Sequence, residues 1–177
     1  GKLPIIYIGS LGKARNSAFL LDLLIALRRQ NPDIVLVLAG DAVSADEKLW
    51  IRDEIAKRGL QEHVLLTGWL EQKQALRYAV LSRVGLSPIP RGELYDVSSP
   101  TKLVEYLALG LPSVANDIPD QKLVIDQSGA GICVPMDVGA FRDAVLRLLT
   151  DDRFHAQCAQ AGPPYVQAER AYDVLAQ

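Results

Sequence analysis

The sequence predicts a doubly wound α/β domain built on a parallel sheet of about six strands. Short apolar runs of strand type alternate with longer stretches whose apolar residues recur at helical spacing. The short runs are apolar throughout, which is typical of strands that are buried on both faces of a parallel sheet. Crossovers between such strands are right-handed, so we expect helices on both faces.

The predicted strands are Ile5–Ile8, Ile34–Ala39, Val64–Thr67, Val84–Ser87, Ser113–Ala115 and Ile132–Val134. The predicted helices follow them, each with its apolar positions on one side. They are Ser17–Arg29, Asp46–Arg58, Glu71–Ser82, a helix that Ser99 and Pro100 open, Pro119–Gln127, a helix that Asp137 caps, and two more that Asp151–Asp152 and Pro163–Pro164 punctuate and that reach Ala176.

Length and composition suit one domain with its own core, because the chain has 177 residues of which 49% are hydrophobic. A formal net charge of −2 gives no electrostatic reason to expect nucleic acid as a partner. Cys133 and Cys158 are far apart in sequence and lack metal-ligand spacing. We therefore predict buried, reduced thiols, no metal site and a cytoplasmic location.

No apolar run approaches the roughly 20 residues of a membrane-spanning helix, and no signal peptide is evident. The chain enters a predicted strand almost at once and ends within a helical pattern. We therefore expect residues 1–177 to form a single domain that is a fragment of a larger protein.

The clearest local signals lie in residues 98–115, which read as loop, helix, stop and strand. Ser99 is suited to cap the helix, and Pro100 suits its first position. Gly110 and Pro112 favour its end. The apolar stripe of this helix consists of Leu103, Val104 and Leu107. Its N-terminus directs free N–H groups toward the preceding residues, which favours a bound anion.

Thr101, Lys102 and Glu105 lie off the apolar stripe of this helix. The helix is thus suited to hold a phosphate at its start and, through Glu105 one turn further on, a pair of vicinal hydroxyls. The alternative for Glu105 is a solvated helix carboxylate.

Glycine-rich and polar segments follow the predicted strands, at the edge where doubly wound sheets bind ligands. In residues 9–15, glycines allow close approach of a ligand, and Lys13 or Arg15 can pair with phosphate. The alternative is an ordinary loop with solvated basic residues. In Gly68–Leu70, backbone groups can read a nucleobase edge. The side chain of Trp69 either packs in the core, its commoner fate, or offers a stacking surface.

His63 and His155 belong to no motif with a cysteine or a carboxylate. No Ser–His–Asp set and no metal-ligand set is evident in the sequence. We predict a catalytic role for neither histidine.

In order and spacing, these segments resemble the C-terminal half of the family-4 glycosyltransferases, which have the GT-B fold. The segments that carry the resemblance are residues 7–11, 36–41, 64–69, 99–115 and 129–131, the last followed by a Val–Pro pair. The resemblance covers nearly the whole chain. It implies the Rossmann-like, donor-binding half of a GT-B enzyme.

The resemblance implies transfer of a sugar from a nucleotide diphosphate donor, such as a UDP or GDP sugar, to an acceptor, usually with retention at the anomeric carbon. The nucleotide sugar is then a substrate, and no cofactor is implied. By resemblance, Glu105 holds the ribose hydroxyls and Gly68–Leu70, with Trp69, the base. The expected diphosphate contacts are Arg15, Thr101 and Lys102, and Gly9, Ser10 and Ser99 are further expected donor-binding residues.

The sequence departs from the family at two places. The family's acidic motif has a first Glu eight residues before the second, where this chain has Val97. Asp96 or Glu93 is left as the candidate sugar contact, and the catalytic residues stay unassigned. Ser10 stands where many members of the family carry Arg.

GT-B enzymes react in a cleft between two domains, and this chain lacks the N-terminal, acceptor-binding one. We therefore expect weak donor binding, no transferase activity in isolation, and any membrane contact only through the missing part. One alternative is a non-catalytic module of the same fold that binds a nucleotide or sugar nucleotide. The other alternative, ranked below it, is a different GT-B enzyme such as a sugar-nucleotide epimerase. Such enzymes usually need acidic and histidine residues that are not evident in this sequence.

Overall fold

The computed structural model describes residues 1–92, 96, 99 and 101–170. The strands are β1 Leu3–Ile8, β2 Ile34–Ala39, β3 Val64–Gly68, β4 Val84–Ser87, β5 Ser113–Asn116 and β6 Gly131–Val134. They form one six-stranded sheet in the order β3-β2-β1-β4-β5-β6, and every adjacent pair is parallel. The predicted class of fold is confirmed.

The described helices are α1 Ser17–Arg28, α2 Ala45–Lys57, α3 Gln72–Val80, α4 Thr101–Ala108, α5 Pro119–Ser128, α6 Val138–Thr150 and α7 Asp152–Glu169. Buried residues of α1, α2 and α6 pack together against one face of the sheet. Those of α3, α4 and α5 form two clusters on the other. The part of the chain that the structure describes holds no helix long and apolar enough to cross a membrane.

The order in which successive strands join the sheet changes direction between β1 and β4. Strands β2 and β3 add on one side of β1, whereas β5 and β6 add on the far side of β4. Pairing between β1 and β4 covers only Ile5↔Val84 and Ile6↔Gly85, so the two strands part early. A crevice therefore opens at their carboxyl ends, which is where open α/β sheets bind ligands.

The prediction of two helices divided at Pro163–Pro164 is wrong, because both prolines lie inside α7. A side chain at Gly162 would come within 2.4 Å of the Leu107 carbonyl oxygen, which shows how closely α7 packs on α4. The helix continues through both prolines although each lacks the backbone N–H group that a helical hydrogen bond needs. The predicted end at Ala176 lies outside the described residues.

The apolar face of α4 also differs from the prediction. Its buried residues are Leu103, Tyr106 and Leu107, while Val104 is only partly buried. Tyr106 takes the core position, and its hydroxyl has a buried partner that a hydropathy pattern does not reveal. The predicted left-handed Gly110 is confirmed by its φ of 68°. Cys133 and Cys158 are free thiols, Cys158 buried and Cys133 only partly so.

Candidate functional site

A cavity of about 290 Å³ lies at the carboxyl ends of β1, β2 and β3, against α3 and α4. From the predicted site residues it brings together Gly9, Ser10, Trp69, Leu70 and Glu105. It adds Asp41, which follows β2 at the predicted ligand edge, and Gln72, which the sequence did not single out. Half of the predicted donor-binding residues thus line one cavity.

The floor of the cavity is built from backbone. A Cβ atom on Gly40 would lie 2.0 Å from the carbonyl oxygen of Gly9, so the loops after β1 and β2 touch through their main chains. The N–H group of Leu11 bonds the carbonyl of Asp41 at 3.1 Å and continues this contact. Glycine at both positions allows this close approach of the two main chains.

Glu105 presents an oriented carboxylate to the cavity. It is half-buried in the middle of α4, and its Oε1 accepts a hydrogen bond from Nε2 of Gln72 at the start of α3. The second oxygen, Oε2, has no partner among the residues that the structure describes. A carboxylate held on one side in this way can accept hydroxyl donors on the other.

Lys102 places a positive charge beside the end of β1. Its Nζ lies 4.3 Å from the centroid of the Tyr7 ring and would lie 3.4 Å from a Cβ atom on Gly9. Burial, and to a smaller extent the charge of Arg15, lower the pKa of Lys102 to about 8. Lys102 has no carboxylate partner among the residues that the structure describes, so it is suited to receive an anion.

The lowered pKa of Lys102 makes the stability of the fold depend on pH. Between pH 8 and the ordinary lysine pKa, the unfolded chain keeps a proton that the folded chain releases, so stability rises with pH. We expect the free energy of unfolding of the wild type, relative to Lys102→Met, to rise by about 1–2 kcal/mol between pH 8 and about 9.5. Chemical denaturation across this range measures it, and a flat difference would contradict the burial of Lys102.

Trp69 is on the surface and not in the core, since its exposed fraction is 75%. It stands at the mouth of the cavity next to the half-buried Leu70. Gly68, with a left-handed φ of 71°, makes the turn that points Trp69 outward. Gly68 itself lines a neighbouring cavity of about 220 Å³, which shares Gly40 and Asp41 with the first.

Arg15, Ser99, Thr101 and Lys102 do not line the cavity. Arg15 and Thr101 are exposed, although Arg15 lies near enough to Lys102 for its charge to act on it. The hydroxyl of Ser99 donates to Oδ2 of Asp120 at 2.9 Å, and Arg170 bonds the other oxygen of that carboxylate at 2.9 Å. Whether Ser99 also caps α4 stays a prediction, because Pro100 lies outside the described residues.

Of the two acidic candidates for a sugar contact, Asp96 and Glu93, the structure describes only Asp96. The carboxylate of Asp96 is bonded by Arg91 at 2.9 Å and by the N–H group of Gly92 at 3.4 Å. Arg91 also pairs with Asp117 at 3.4 Å, and these carboxylates, Asp96 above all, raise the pKa of Arg91. Arg91 and Gly92 thus hold the carboxylate of Asp96. Glu93 and Val97 lie outside the described residues.

A buried polar network beside the site was missed in the sequence. Ser87, Asn116 and Gln121 are fully buried and bonded to one another. Asn116 accepts from the N–H group of Ile89 at 2.7 Å and donates to its carbonyl at 2.9 Å. The network anchors the loop after β4 to the end of β5. The only signal in the sequence is that polar residues end both strands.

We expect Asn116→Ala to lower the free energy of unfolding by about 3 kcal/mol, because it leaves both backbone groups of Ile89 without their partner in the core. Chemical denaturation measures this loss. Thr150→Ala, which removes an exposed hydroxyl bonded to its own helix, is the control. A loss below about 1 kcal/mol would mean that water replaces the network at little cost.

Fold and site together define a Rossmann-like domain with a ligand cavity at the carboxyl ends of β1, β2 and β3. An aromatic ring and a carboxylate line this cavity, and a buried ammonium lies near it. The family model of the group 1 glycosyl transferases matches residues 2–151. That match covers most of the chain, and the chain belongs to this family.

The comparisons with individual proteins agree with this assignment. The chain is 28% identical over 171 residues to phosphatidyl-myo-inositol mannosyltransferase of Mycobacterium leprae, covering 96% of this chain and 42% of that protein. It therefore spans less than half the length of this relative.

Two solved structures illustrate the shared fold. The C-terminal domain of a group 1 family glycosyl transferase from Francisella tularensis has a TM-score of 0.82 at 16% identity, covering 97% of this chain and 88% of that one. Anabaena HepE, solved with UDP and glucose, has a TM-score of 0.74 at 18% identity, covering 94% and 44%. The fold is that of the C-terminal domain of GT-B glycosyltransferases.

Proposed function

We propose that residues 1–177 are the nucleotide-sugar donor-binding domain of a two-domain, retaining glycosyltransferase. The observation that carries the proposal is the set of groups around one cavity. An exposed aromatic ring suits a nucleobase, an oriented carboxylate suits a ribose diol, and a buried ammonium beside a glycine turn suits a diphosphate.

In this arrangement the base lies against Trp69 and the backbone of Gly68–Leu70. Glu105 accepts both ribose hydroxyls through its carboxylate. Lys102, Arg15 and the start of α4, with Ser99 and Thr101, meet the diphosphate. Gly9 and Ser10, next to Lys102, allow close approach of the backbone to the phosphates.

These groups would contribute to catalysis through electrostatic stabilisation. Departure of the sugar leaves negative charge on the diphosphate, and a cation already desolvated at Lys102 stabilises that charge without reorganising water. The acceptor site belongs to a second domain, so the isolated chain binds the donor weakly and transfers nothing. We place the full protein in the cytoplasm, where the free thiols of Cys133 and Cys158 stay reduced.

The class of donor rests on the chemistry of the site and on the neighbours. UDP is bound in the Anabaena HepE structure, which supports a nucleoside diphosphate as the ligand class. The relative from Mycobacterium leprae is named for mannose transfer, which supports a hexose as the transferred group. UDP and GDP sugars are therefore the first donors to test.

Calorimetric titration with UDP, GDP and ADP, each beside its nucleoside, tests the proposal. We expect saturable binding of at least one diphosphate, tighter than that of its nucleoside, and no sugar transfer by this chain alone. Absence of saturable binding to every diphosphate at millimolar concentration would contradict the proposal.

One observation favours a second candidate, a module of the same fold that binds a nucleotide or sugar nucleotide without catalysis. The carboxylate of Asp96, the described candidate for the sugar contact, is bonded by Arg91 and by Gly92. Assays of the full-length protein separate the two functions. Donor turnover in the presence of acceptors supports the enzyme, whereas donor binding without turnover supports the module.

We expect Trp69→Ala to weaken nucleoside and diphosphate binding alike by 5- to 100-fold, because stacking of a base on an aromatic ring contributes about 1–3 kcal/mol. The free energy of unfolding should change by less than about 0.5 kcal/mol, since the side chain is exposed. Calorimetry measures the first and chemical denaturation the second. Leu81→Ala, which removes an apolar side chain with the same exposed fraction of 75%, is the control and should leave affinity unchanged.

A further inference from the structure

The peptide N–H group of Ile8 lies where β1 and β4 part. The N–H group of Gly9 bonds the Ala39 carbonyl of β2 at 3.1 Å, so the preceding N–H group, that of Ile8, points to the opposite side, toward β4. Strand β4 has already left β1 after Ile6↔Gly85. The N–H group of Ile8 instead donates to the hydroxyl oxygen of Tyr106 at 2.7 Å.

The sequence builds a slot for Tyr106. Its side chain is completely buried, and a Cβ atom on Gly85 would lie 2.6 Å from its Cδ2. Glycine at this point of β4 therefore lets the ring lie flat against the strand. A phenol buried this deeply needs a polar partner, which the Ile8 amide supplies.

Tyr106 and Lys102 share one face of α4, because they are four residues apart. Lys102 stacks on Tyr7 of β1, and the hydroxyl of Tyr7 donates to the carbonyl of Ser10 at 3.2 Å. This face of α4 thus contacts the last residues of β1 and the loop that follows them. A rotation or slide of α4 would break the Tyr106 bond and carry Lys102 away from Gly9 together.

We propose that Tyr106 is a positioning residue: its hydrogen bond to the Ile8 amide fixes α4 against β1 and so holds Lys102 over Gly9, where the diphosphate binds. The proposal rests on the proposed function of the site. Tyr106 itself is buried beneath the cavity and acts through Lys102. Glu105 of the same helix is also held by Gln72 of α3, so we expect the effect to fall mainly on the phosphate part of the ligand.

Tyr106→Phe tests the proposal, because it keeps the ring in the Gly85 slot and removes only the hydroxyl. We expect the variant to fold and to bind the nucleoside as the wild type does. Its affinity for the nucleoside diphosphate should fall 5- to 10-fold, which calorimetry with both ligands measures. By NMR, the pKa of Lys102 should rise toward its ordinary value, since its ammonium is no longer held against β1.

Two controls separate positioning from loss of stability. Val145→Ala opens a cavity in the core on the other face of the sheet and should leave the ratio of the two affinities unchanged. Tyr165→Phe removes a hydroxyl that donates to Gln127 at 3.0 Å, away from the site, and should do the same. If Tyr106→Phe does not fold, the amide resonance of Ile8 is followed in the wild type instead. That resonance should shift on adding the diphosphate and not on adding the nucleoside.

The outcomes distinguish this proposal from the proposed function. If the wild type binds a diphosphate more tightly than its nucleoside and Tyr106→Phe keeps that ratio, the positioning role is wrong while the donor site stands. If the wild type binds neither ligand, the donor site is wrong. An unchanged titration of Lys102 in Tyr106→Phe would overturn the positioning role in either case.

Discussion

Lys102→Met weakens the binding of nucleoside diphosphates by roughly 10- to 100-fold and makes the fold more stable. The loss of affinity follows from removing a charge-assisted contact of about 1.5–3 kcal/mol in a site withdrawn from solvent. The gain in stability, about 1–2 kcal/mol at pH 7, follows because the wild type must hold a charge where burial lowers its pKa to about 8. Methionine keeps a favourable contact with the Tyr7 ring.

Affinity should also depend on pH in the wild type. Binding of a diphosphate needs the protonated amine, so the affinity should fall as the pH rises above the pKa of about 8. Calorimetry between pH 7 and 9 measures this slope, which should vanish in Lys102→Met. Lys57→Met, which removes an exposed lysine paired with Glu54 at 3.3 Å, is the matched control and should show none of these effects. Unchanged diphosphate affinity in Lys102→Met would make the lysine structural.

Glu105→Ala weakens the binding of nucleosides and nucleoside diphosphates to a similar degree, by 10- to 100-fold. A carboxylate that accepts two hydroxyls contributes about 1.5–3 kcal/mol, and its ligand lies on the ribose that both molecules share. The free energy of unfolding should change by less than about 1 kcal/mol, because Glu105 is half-buried and its bond to Gln72 lies at the surface. Calorimetry and chemical denaturation measure the two quantities.

Comparing the affinities of the ribonucleoside diphosphate and its 2′-deoxy form tests this prediction more sharply. The wild type should prefer the ribonucleotide, and Glu105→Ala should lose that preference. Gln72→Ala, which removes only the group that orients the carboxylate, should show a smaller loss of the same kind. If Glu105→Ala unfolds the domain, or if it keeps the preference for the ribonucleotide, Glu105 is not the ribose ligand.

Most of the fold was predictable from the sequence because its signals are local. Continuous apolar runs such as Ile34–Ala39 mark strands buried on both faces, and the caps at Asp137 and Gly110 are read from residue type alone. The predicted break at Pro163–Pro164 was wrong, because a proline pair normally ends a helix and here does not. Only the close packing of Gly162 on Leu107, which is a tertiary contact, shows why α7 continues.

The site was predictable where loops follow strands and less so where side chains meet through space. The loops at Gly9 and Trp69 converge because all parallel strands end at one edge of the sheet. The exposure of Trp69, the network of Asn116 and the bond between Tyr106 and Ile8 depend on partners far away in the sequence. No periodicity of polar and apolar residues encodes such partners.

Titration of the ¹⁵N-labelled protein with UDP and GDP, followed by NMR, tests the central claim most directly. A donor site at the switch point predicts saturable shifts of the amides of Gly9, Ser10 and Glu105 and of the indole N–H group of Trp69. Residues of α6, on the opposite face, should not move. Absence of saturable shifts at millimolar nucleotide, or shifts centred away from the cavity, would contradict the account.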